Sequence, residues 1–293
     1  MIDLRHLLHA NVSGHEPGRG HRIIHASELT SVKKEFCPRE VILLDVLKVK
    51  PSPQFVPTSL RVTFDYGDFL QWSVNNVYLR KQMWGDWRCV SCGRLKTKGF
   101  VPTKPCHLHK TGQARCRYEY KEPRITDTDT KASAGIDGAV LDGEYLRVME
   151  IKSEVKDEFK KLSAPRAEHR LRGMLYLAII ARTEWARKVF HSDHMNILYV
   201  CKGYGIKDSD LFQQLKAKGI SDFPFTPFKE WRVKRDDKQV SKLLKKARVV
   251  RVAREKGKMP NGVCNSAMCK RARECPVRKE CWSGKFHVTL NWG

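Results

Sequence analysis

The stretch that most constrains the fold is GIDGAVLDGEYLRVMEIKSE, residues 135–154, because it places charged groups inside an apolar, strand-like pattern. Two runs of β-favouring residues flank Asp142-Gly143, a dipeptide typical of tight hairpin turns. Asp137 lies near the start of the first predicted strand, and Glu150 and Lys152 lie two positions apart on the second. Side chains two apart in a strand share a face, so Glu150 and Lys152 point the same way. Hairpin pairing can bring Asp137 beside them.

These charged residues predict a site for a hard divalent cation. A carboxylate buried in a strand is costly unless it is paired or bound to a metal. The oxygens of Asp137 and Glu150, with the Ile151 carbonyl, suit Mg²⁺ or Mn²⁺. Lys152 can position or deprotonate a water and stabilise charge that grows on a phosphate. The alternative is an exposed sheet face with an ordinary Glu–Lys pair, but small and apolar residues surround each charged group here.

The charge of the chain indicates a polyanionic partner. Its 56 Lys and Arg residues against 32 Asp and Glu give +24, and this excess favours nucleic acid over a membrane surface because many dispersed cations can neutralise phosphates. Hydrophobic residues make up 41%, which supports a buried core. Neither a signal peptide nor an apolar run of about eighteen residues is apparent, so we expect a cytoplasmic protein with no membrane partner.

The order of predicted elements indicates an α/β fold, with a mixed central sheet flanked by helices. Ser27 is the expected cap of a first helix, and Pro38 precedes a second. The remaining segments with helical periodicity, and their expected inward residues, are 66–84 (Leu70, Val74, Val77, Tyr78), 165–182 (Leu171, Leu175, Ala178, Ile179) and the basic 239–256 (Val240, Leu243, Leu244, Ala247). MNILYVCKG is a buried strand, in which Cys201 is expected to be core.

Changes in composition divide the chain into five predicted segments. These are a flexible arm (1–25), an N-terminal helical part (26–84, with a connecting loop at 51–59), a zinc-ribbon-like insertion (85–122), a core (123–235) and a C-terminal part (236–293) with the basic helix and a cysteine cluster.

The ten cysteines fall mostly into two groups, which indicates metal ligation in a reducing compartment. In the insertion, C-x2-C-G predicts a structural zinc site. Cys89, Cys92 and Cys106 are the expected ligands, and Cys116 is preferred to His109 as the fourth. In the C-terminal part, VCNSAMCKRARECPVRKECW contains four more cysteines, which alone could hold a second zinc.

The pattern GIDG…VMEIKSE resembles the catalytic core of the PD-(D/E)XK nucleases, in their RecB-like branch. That resemblance implies a restriction-endonuclease-like core, with Asp137, Glu150 and Lys152 as catalytic residues. HRLRGMLYL stands at the position of the branch's Q-x-x-x-Y helix, so Tyr176 matches the tyrosine while Arg172 replaces the glutamine. Gln71 stands where the branch has an upstream histidine ligand. Tyr176 and Arg172 are then expected to hold phosphate or to orient the site, and Gln71 to contact the metal through its amide oxygen or a water.

The end-to-end cysteine arrangement is similar to that of the Cas-four-like iron–sulfur exonucleases of the same branch. One cysteine in C-P-R, Cys37, precedes the core, and three near the C-terminus complete the ligand set of a [4Fe–4S] cluster. The resemblance favours Cys264, Cys275 and Cys281, with Cys269 as the spare thiol. It implies a bacterial cell or a phage-infected host as the setting, with recombination or replication proteins as further partners.

Together these features predict a Mg²⁺- or Mn²⁺-dependent deoxyribonuclease. Its expected action is that of an exonuclease on DNA ends or single strands, in recombination, repair or phage DNA metabolism. The competing hypothesis is a catalytically degraded zinc and iron–sulfur DNA-binding protein, against which only Asp137, Glu150 and Lys152 argue.

Overall fold

The computed structural model describes residues 14–16, 23–32, 34–48, 54–56, 58–93, 95–104, 117–203 and 227–283. The strands in these residues are β1 Gly14–Glu16, β2 Ile24–His25, β3 Gln54–Val56, β4 Trp84–Cys89, β5 Leu95–Phe100, β6 Tyr118–Lys121, β7 Arg124–Thr126, β8 Ala132–Gly135, β9 Gly138–Asp142, β10 Tyr145–Val155, β11 His194–Lys202 and β12 Phe228–Lys234. The helices are α1 Ala26–Leu29, α2 Pro38–Val46, α3 Thr58–Ser73 with a π-turn at Val74–Tyr78, α4 Lys156–Lys161, α5 Ala167–Arg182, α6 Glu184–Arg187, α7 Asp237–Lys256, α8 Lys270–Arg273 and α9 Arg278–Trp282.

The predicted mixed α/β fold is confirmed, with a central sheet of strand order β12-β11-β10-β9. β10 pairs antiparallel with β9 and parallel with β11. The predicted hairpin joins β9 to β10, with its two-residue turn at Gly143-Glu144, one position beyond the expected dipeptide. Gly143 has φ +64°, which glycine adopts without strain at the first position of a type II′ turn.

Helices cover both faces of the sheet. On one face, the predicted helix 165–182 forms as α5, and its buried Leu175 and Ile179 join a core with Tyr199 and Cys201 of β11. On the other face, Val74 of the π-turn packs with Ile151 and Val200. Because successive strand residues alternate between faces, Glu150 and Lys152 lie on the α5 face while Ile151 lies on the other.

The basic helix α7 also forms as expected. Asp236 caps it by accepting a hydrogen bond from the backbone N–H of Gln239, and Gly257 ends it at φ +63°. Its apolar stripe includes the predicted Val240, Leu244 and Ala247, and this stripe packs on α5 and α2. None of the described helices is long and apolar enough to cross a membrane.

The helical phase predicted for residues 66–84 is wrong beyond Val74. Val74 is buried, but Val77 and Tyr78 are 55% and 65% exposed. The reason is the π-turn, in which the N–H of Leu79 donates to the Val74 carbonyl, five residues back rather than four. The extra residue rotates Asn75 and Asn76 into the protein and turns Val77 and Tyr78 outward.

Three expectations for the N-terminal region are also corrected. The first cap is His25 rather than Ser27, because the His25 N–H donates to the Glu28 carboxylate at 3.0 Å. The arm 1–25 is not uniformly loose, since β1 pairs with β3 and β2 pairs in parallel with β8. The segment 51–59, expected to be a loop, contains β3 and the start of α3 because the backbone of β3 finds a partner strand in the arm.

Candidate active site

Asp137, Glu150 and Lys152 meet where β9 and β10 run side by side. Asp137 lies at the bend before β9, and the β10 backbone holds it there, because the N–H of Ile151 donates to Asp137 Oδ2 at 2.8 Å. Lys152 Nζ lies 2.7 Å from Glu150 Oε1 and 3.5 Å from Asp137 Oδ2. The structure therefore brings together the three residues that the sequence singled out. Both carboxylates are buried, and Glu150 is 1% exposed.

Burial and the second carboxylate change the protonation of Asp137. Desolvation in this site, followed by the nearby negative charge of Glu150, raises the pKa of Asp137 to about 7. Lys152 opposes this rise without cancelling it. Simultaneous ionisation of Asp137 and Glu150 is therefore unfavourable in this site unless a further positive charge is present.

The other two charges of the site stay ionised. Burial by itself would lower the pKa of Lys152, but Asp137 and Glu150 raise it above its usual range, so Lys152 is an ammonium. Burial would raise the pKa of Glu150, but Lys152 and then Arg172 lower it overall. Lys152 is thus suited to position a water or hold a phosphate rather than to accept a proton.

The site has an acceptor that a cation could use. Lys152 and Arg172 both approach Glu150 Oε1, at 2.7 and 3.2 Å, whereas Glu150 Oε2 is buried and finds no hydrogen-bond partner among the described residues. The Ile151 carbonyl is a further oxygen at the site, and it accepts from Lys152 Nζ at 3.2 Å. Carboxylate and carbonyl oxygens of this kind are what Mg²⁺ and Mn²⁺ prefer, so the donor set fits such an ion.

Tyr176 and Arg172, one helical turn apart on α5, lie over the carboxylates. Burial, and then the negative charges of Glu150 and Asp137, raise the pKa of Tyr176 well above its usual range. Tyr176 is therefore a neutral phenol that can donate a hydrogen bond. Arg172 points at Glu150, so in the structure this guanidinium orients the carboxylate.

Gln71 lies at the rim of the site, and it leads to a carboxylate that the sequence analysis missed. Gln71 Nε2 donates to Glu122 Oε1 at 2.7 Å. Although Glu122 is exposed at the surface, crowding of its carboxyl by protein, together with the charge of Glu150, raises its pKa, while the Gln71 hydrogen bond opposes the rise. The only sequence signal for Glu122 was its position in KEP, immediately before β7.

Asn75 and His169 are two further neighbours that the sequence analysis missed. Asn75 Nδ2 donates to the Asp137 carbonyl at 2.7 Å, which fixes the bend that carries the carboxylate. His169 Nδ1 lies 2.7 Å from the Tyr199 hydroxyl, and burial, followed by Lys152 and Arg172, lowers the pKa of His169 to about 4. His169 is thus neutral near pH 7. Nothing in the sequence indicated that Asn75 is buried, because this side chain faces inward only as a result of the π-turn.

A second candidate site joins the two ends of the chain. A cavity of about 220 Å³ is lined by all four cysteines that the resemblance assigned to a cluster, which are Cys37, Cys264, Cys275 and Cys281. Arg39 and Arg271 tie this region together, since Arg39 donates to the Cys281 carbonyl at 3.3 Å and Arg271 donates to the Glu35 carbonyl at 3.0 Å. Cys269, the predicted spare, does not line the cavity.

The thiols around this cavity differ in their proton affinity. Burial and a hydrogen bond to Cys269 raise the pKa of Cys264 to about 11, and burial also raises the pKa of Cys275. A hydrogen bond from the backbone N–H of Ala272 lowers the pKa of Cys269. Within the described part of the chain, no three of these sulfurs approach one another within 4.8 Å.

The insertion can be described only in part. β4 pairs with β5 and β6 to form a small antiparallel sheet. Cys89 ends β4 and is buried, and Cys92 follows in a turn that closes with a hydrogen bond from the Gly93 N–H to the Cys89 carbonyl at 2.8 Å. The other expected ligands, Cys106, Cys116 and the alternative His109, lie outside the described residues.

Comparisons with known proteins give only a distant likeness. No protein-family model matches the sequence, and no curated protein matches it significantly. Among solved structures, the fold is similar to the alkaline exonuclease LHK-Exo from Laribacter hongkongensis, with TM-score 0.44, 13% identity, and 85% of this chain and 92% of that chain covered. LHK-Exo in complex with dAMP gives TM-score 0.43 and 12% identity, with coverage of 80% and 88%. At such TM-scores these likenesses do not bear on the chemistry of the site.

Proposed function

We propose that this protein is a divalent-metal-dependent DNA nuclease that hydrolyses phosphodiester bonds, acting as an exonuclease on DNA ends or single strands. The observation that carries the proposal is the convergence of Asp137, Glu150 and Lys152 in one buried site. An ammonium 2.7 and 3.5 Å from two carboxylates, one with an unused oxygen, is an arrangement suited to a metal and a phosphate.

In the proposed site, Asp137, Glu150 and the Ile151 carbonyl hold one Mg²⁺ or Mn²⁺ ion. Bound there, the ion would acidify a water and neutralise charge on the scissile phosphate. Lys152 keeps its proton, orients the attacking water and stabilises charge on a non-bridging oxygen. Tyr176 donates a hydrogen bond from its phenol.

Arg172 and Gln71 have positioning roles in this proposal. Arg172 fixes Glu150 through Oε1 and so leaves Oε2 for the metal. Gln71 orients Glu122, whose carboxylate can bind a metal-held water at the rim of the site. We propose this role because the amide nitrogen of Gln71 donates to Glu122, while the contact expected of its amide oxygen, direct or through a water, stays a prediction.

The surface next to the site supports a single strand or a frayed end as substrate. Tyr66 and Phe69, three residues apart on α3, are 43% and 57% exposed, and Phe69 stacks on Trp72 with ring centroids 6.2 Å apart. Exposed aromatic rings can stack on unpaired bases, while the charge of +24 attracts the backbone. Gln71 of the same helix reaches the carboxylate rim, so the helix that carries these rings borders the site.

We also propose that Cys37, Cys264, Cys275 and Cys281 hold a [4Fe–4S] cluster. Four thiolates around a single zinc ion lie about 2.3 Å from it, and their sulfurs therefore crowd within about 4 Å of one another. In this structure the four cysteines instead surround a 220 Å³ cavity, and no three of their sulfurs lie within 4.8 Å of one another in the described residues. This wider spacing better suits a cluster that bonds each thiolate to a different iron. Cys89 and Cys92 remain proposed zinc ligands of the insertion, with Cys106 and Cys116.

One observation favours the competing function, a DNA-binding protein without catalysis. Arg172 occupies the position at which the resemblance expects a glutamine, and its guanidinium contacts Glu150, where a metal-binding site would gain from a neutral group. Under this alternative, Lys152 and Arg172 would neutralise Glu150 permanently, and the cysteine sites would only stabilise a DNA-binding fold.

End-labelled double-stranded and single-stranded DNA, incubated with and without Mg²⁺ or Mn²⁺, separates the two functions. The nuclease proposal predicts metal-dependent release of nucleotides from ends, lowered about 100-fold or more in Glu150→Gln and Lys152→Gln. Glu154→Gln is the matched control, because Glu154 lies on the same face of β10 but pairs with Arg166 at 2.7 Å. DNA binding without cleavage at any metal concentration would favour the alternative.

A further inference from the structure

Three side chains at the turn end of the β9–β10 hairpin form a group separate from the proposed active site. Asp142 ends β9, His191 lies in the loop before β11, and His194 begins β11. His191 Nε2 and His194 Nε2 lie 3.2 and 3.8 Å from Asp142 Oδ2, and the three ligand atoms lie within 4.8 Å of one another. His194 is three residues from Ile197, the β11 partner of Glu150, which places this group about 10 Å along the strand.

The backbone fixes this group before any ligand arrives. The N–H of His191 donates to the Leu146 carbonyl at 2.9 Å, and the N–H of Leu146 donates to the Val189 carbonyl at 2.9 Å. The imidazole rings of His191 and His194 lie 4.5 Å apart. Because strands and a hydrogen-bonded loop carry all three side chains, the group needs little reorganisation to converge on one ion.

His194 shows that the group is incomplete. Its ring is buried, at 4% exposure, and neither of its ring nitrogens makes a hydrogen bond of good geometry among the described residues. Nδ1 of His194 lies 2.9 Å from Asp193 Oδ2, and Nδ1 of His191 lies 3.8 Å from Asp193 Oδ1. A carboxylate close to Nδ1 favours the tautomer with its proton there, which leaves a lone pair on Nε2, the atom 3.8 Å from Asp142 Oδ2.

We propose that Asp142, His191 and His194 bind a borderline transition-metal ion, of which Zn²⁺ is the representative, with Asp193 as the outer carboxylate. Two imidazoles and one carboxylate suit Zn²⁺ rather than Mg²⁺. In a tetrahedral zinc site, bond lengths of about 2.0–2.2 Å place neighbouring ligand atoms about 3.3 Å apart. The observed 3.2 and 3.8 Å bracket that separation. Water would fill the fourth position, from the side on which Asp142 is partly exposed.

Arg147 is a further neighbour of this group. Its guanidinium contacts the same oxygen, Asp142 Oδ2, that the ion would use, and its Nε is buried without a partner among the described residues. The arginine therefore competes with a metal for Asp142. A simpler explanation is that the group is an Arg147–Asp142 ion pair with histidines as neighbours. That explanation accounts for His191 but leaves His194 Nε2 without a hydrogen-bond partner among the described residues.

The test measures zinc directly in protein as purified, without any chelation step. Each variant is incubated with Zn²⁺, desalted and assayed for metal per chain, and the affinity of the additional site is determined by calorimetry. We expect wild type to bind one more zinc than His194→Ala, and Asp193→Asn to bind it about 10–100-fold more weakly. Arg147→Gln should bind it about tenfold more tightly, because a positive charge beside the ion is removed.

Arg147→Gln also separates the proposal from a general loss of structure, since misfolding does not tighten binding. Co²⁺ bound at the additional site should show d–d absorption without a thiolate charge-transfer band, and this signal should disappear in His191→Ala. Equal zinc content in wild type and a folded His194→Ala, or unchanged or weaker binding in Arg147→Gln, would overturn the proposal. The variants lie away from Glu150, so nuclease activity without added zinc is expected to stay unchanged in either case.

Discussion

Asp137→Asn should make the metal-free protein more stable above pH 7 while abolishing metal-dependent cleavage. Burial and Glu150 raise the pKa of Asp137 from an ordinary 3.8 to about 7. Between these values the folded state holds a proton that the unfolded state has released, so folding stability falls as pH rises through this window. A difference of about 3 pKa units corresponds to about 4 kcal/mol at pH 7 and above.

The asparagine keeps part of the native geometry, which makes it a suitable probe. Its amide oxygen can still accept from the Ile151 N–H, now at 2.8 Å from Oδ2. The same oxygen position faces Lys152, whose Nζ is 3.5 Å from the present Oδ2, so the variant keeps an acceptor there but loses the attraction between opposite charges. We therefore expect a net gain of about 2 kcal/mol in the free energy of unfolding, rather than the full 4.

Urea unfolding followed by tryptophan fluorescence at pH 8 and pH 4.5, without added divalent cations, measures this effect. The gain in Asp137→Asn should be present at pH 8 and replaced by a small loss at pH 4.5, where wild-type Asp137 is protonated and its penalty is only about 1 kcal/mol. Added Mg²⁺ should stabilise wild type but not the variant. Asp65→Asn is the control, since Asp65 is exposed and pairs only with Arg61 in the described residues. An equal loss of stability in Asp137→Asn at both pH values would refute this electrostatic account of the site.

Three further predictions concern the metals and the DNA. Cys37→Ser should lose iron and keep zinc, and Cys89→Ser should do the reverse, as elemental analysis of anaerobically purified protein would show; two zincs and no iron would remove the cluster proposal. DNA affinity, measured by anisotropy, should fall about 10³-fold between 50 and 200 mM salt for six or more phosphate contacts, and a flat response would indicate another kind of partner. Phe69→Ala should weaken single-strand binding by about 1–3 kcal/mol and leave duplex binding nearly unchanged, because only unpaired bases stack; equal effects on both substrates would contradict the role of the α3 surface.

The sequence predicted most of what depends on local pattern. The β9–β10 hairpin, α5 and α7 formed close to their expected limits because alternating and 3.6-residue periodicities are set by burial on one face. The proximity of Asp137 to Glu150 and Lys152 was also predicted, since one hairpin carries all three residues. Cys201 is core, as expected of a cysteine within an apolar strand.

What the sequence did not predict depends on distant partners. The π-turn at Val74–Tyr78 leaves no periodic signal, so the exposure of Val77 and the burial of Asn75 could not be anticipated. Glu122 and Gln71 are 51 residues apart and meet only because α3 lies against the β6–β7 corner. His194 and Asp142 likewise belong to different strands. Such pairings depend on the tertiary fold rather than on sequence spacing.

The most direct test of the central claim is a Mn²⁺ titration by calorimetry at pH 8, paired with cleavage of end-labelled DNA by the same samples. Wild type and Glu154→Gln should bind one Mn²⁺ that Asp137→Asn and Glu150→Gln do not, and cleavage should be lost in the same two variants while DNA binding persists. Mn²⁺ binding and cleavage that survive in both Asp137→Asn and Glu150→Gln would contradict the assignment of a metal-dependent nuclease site to these carboxylates.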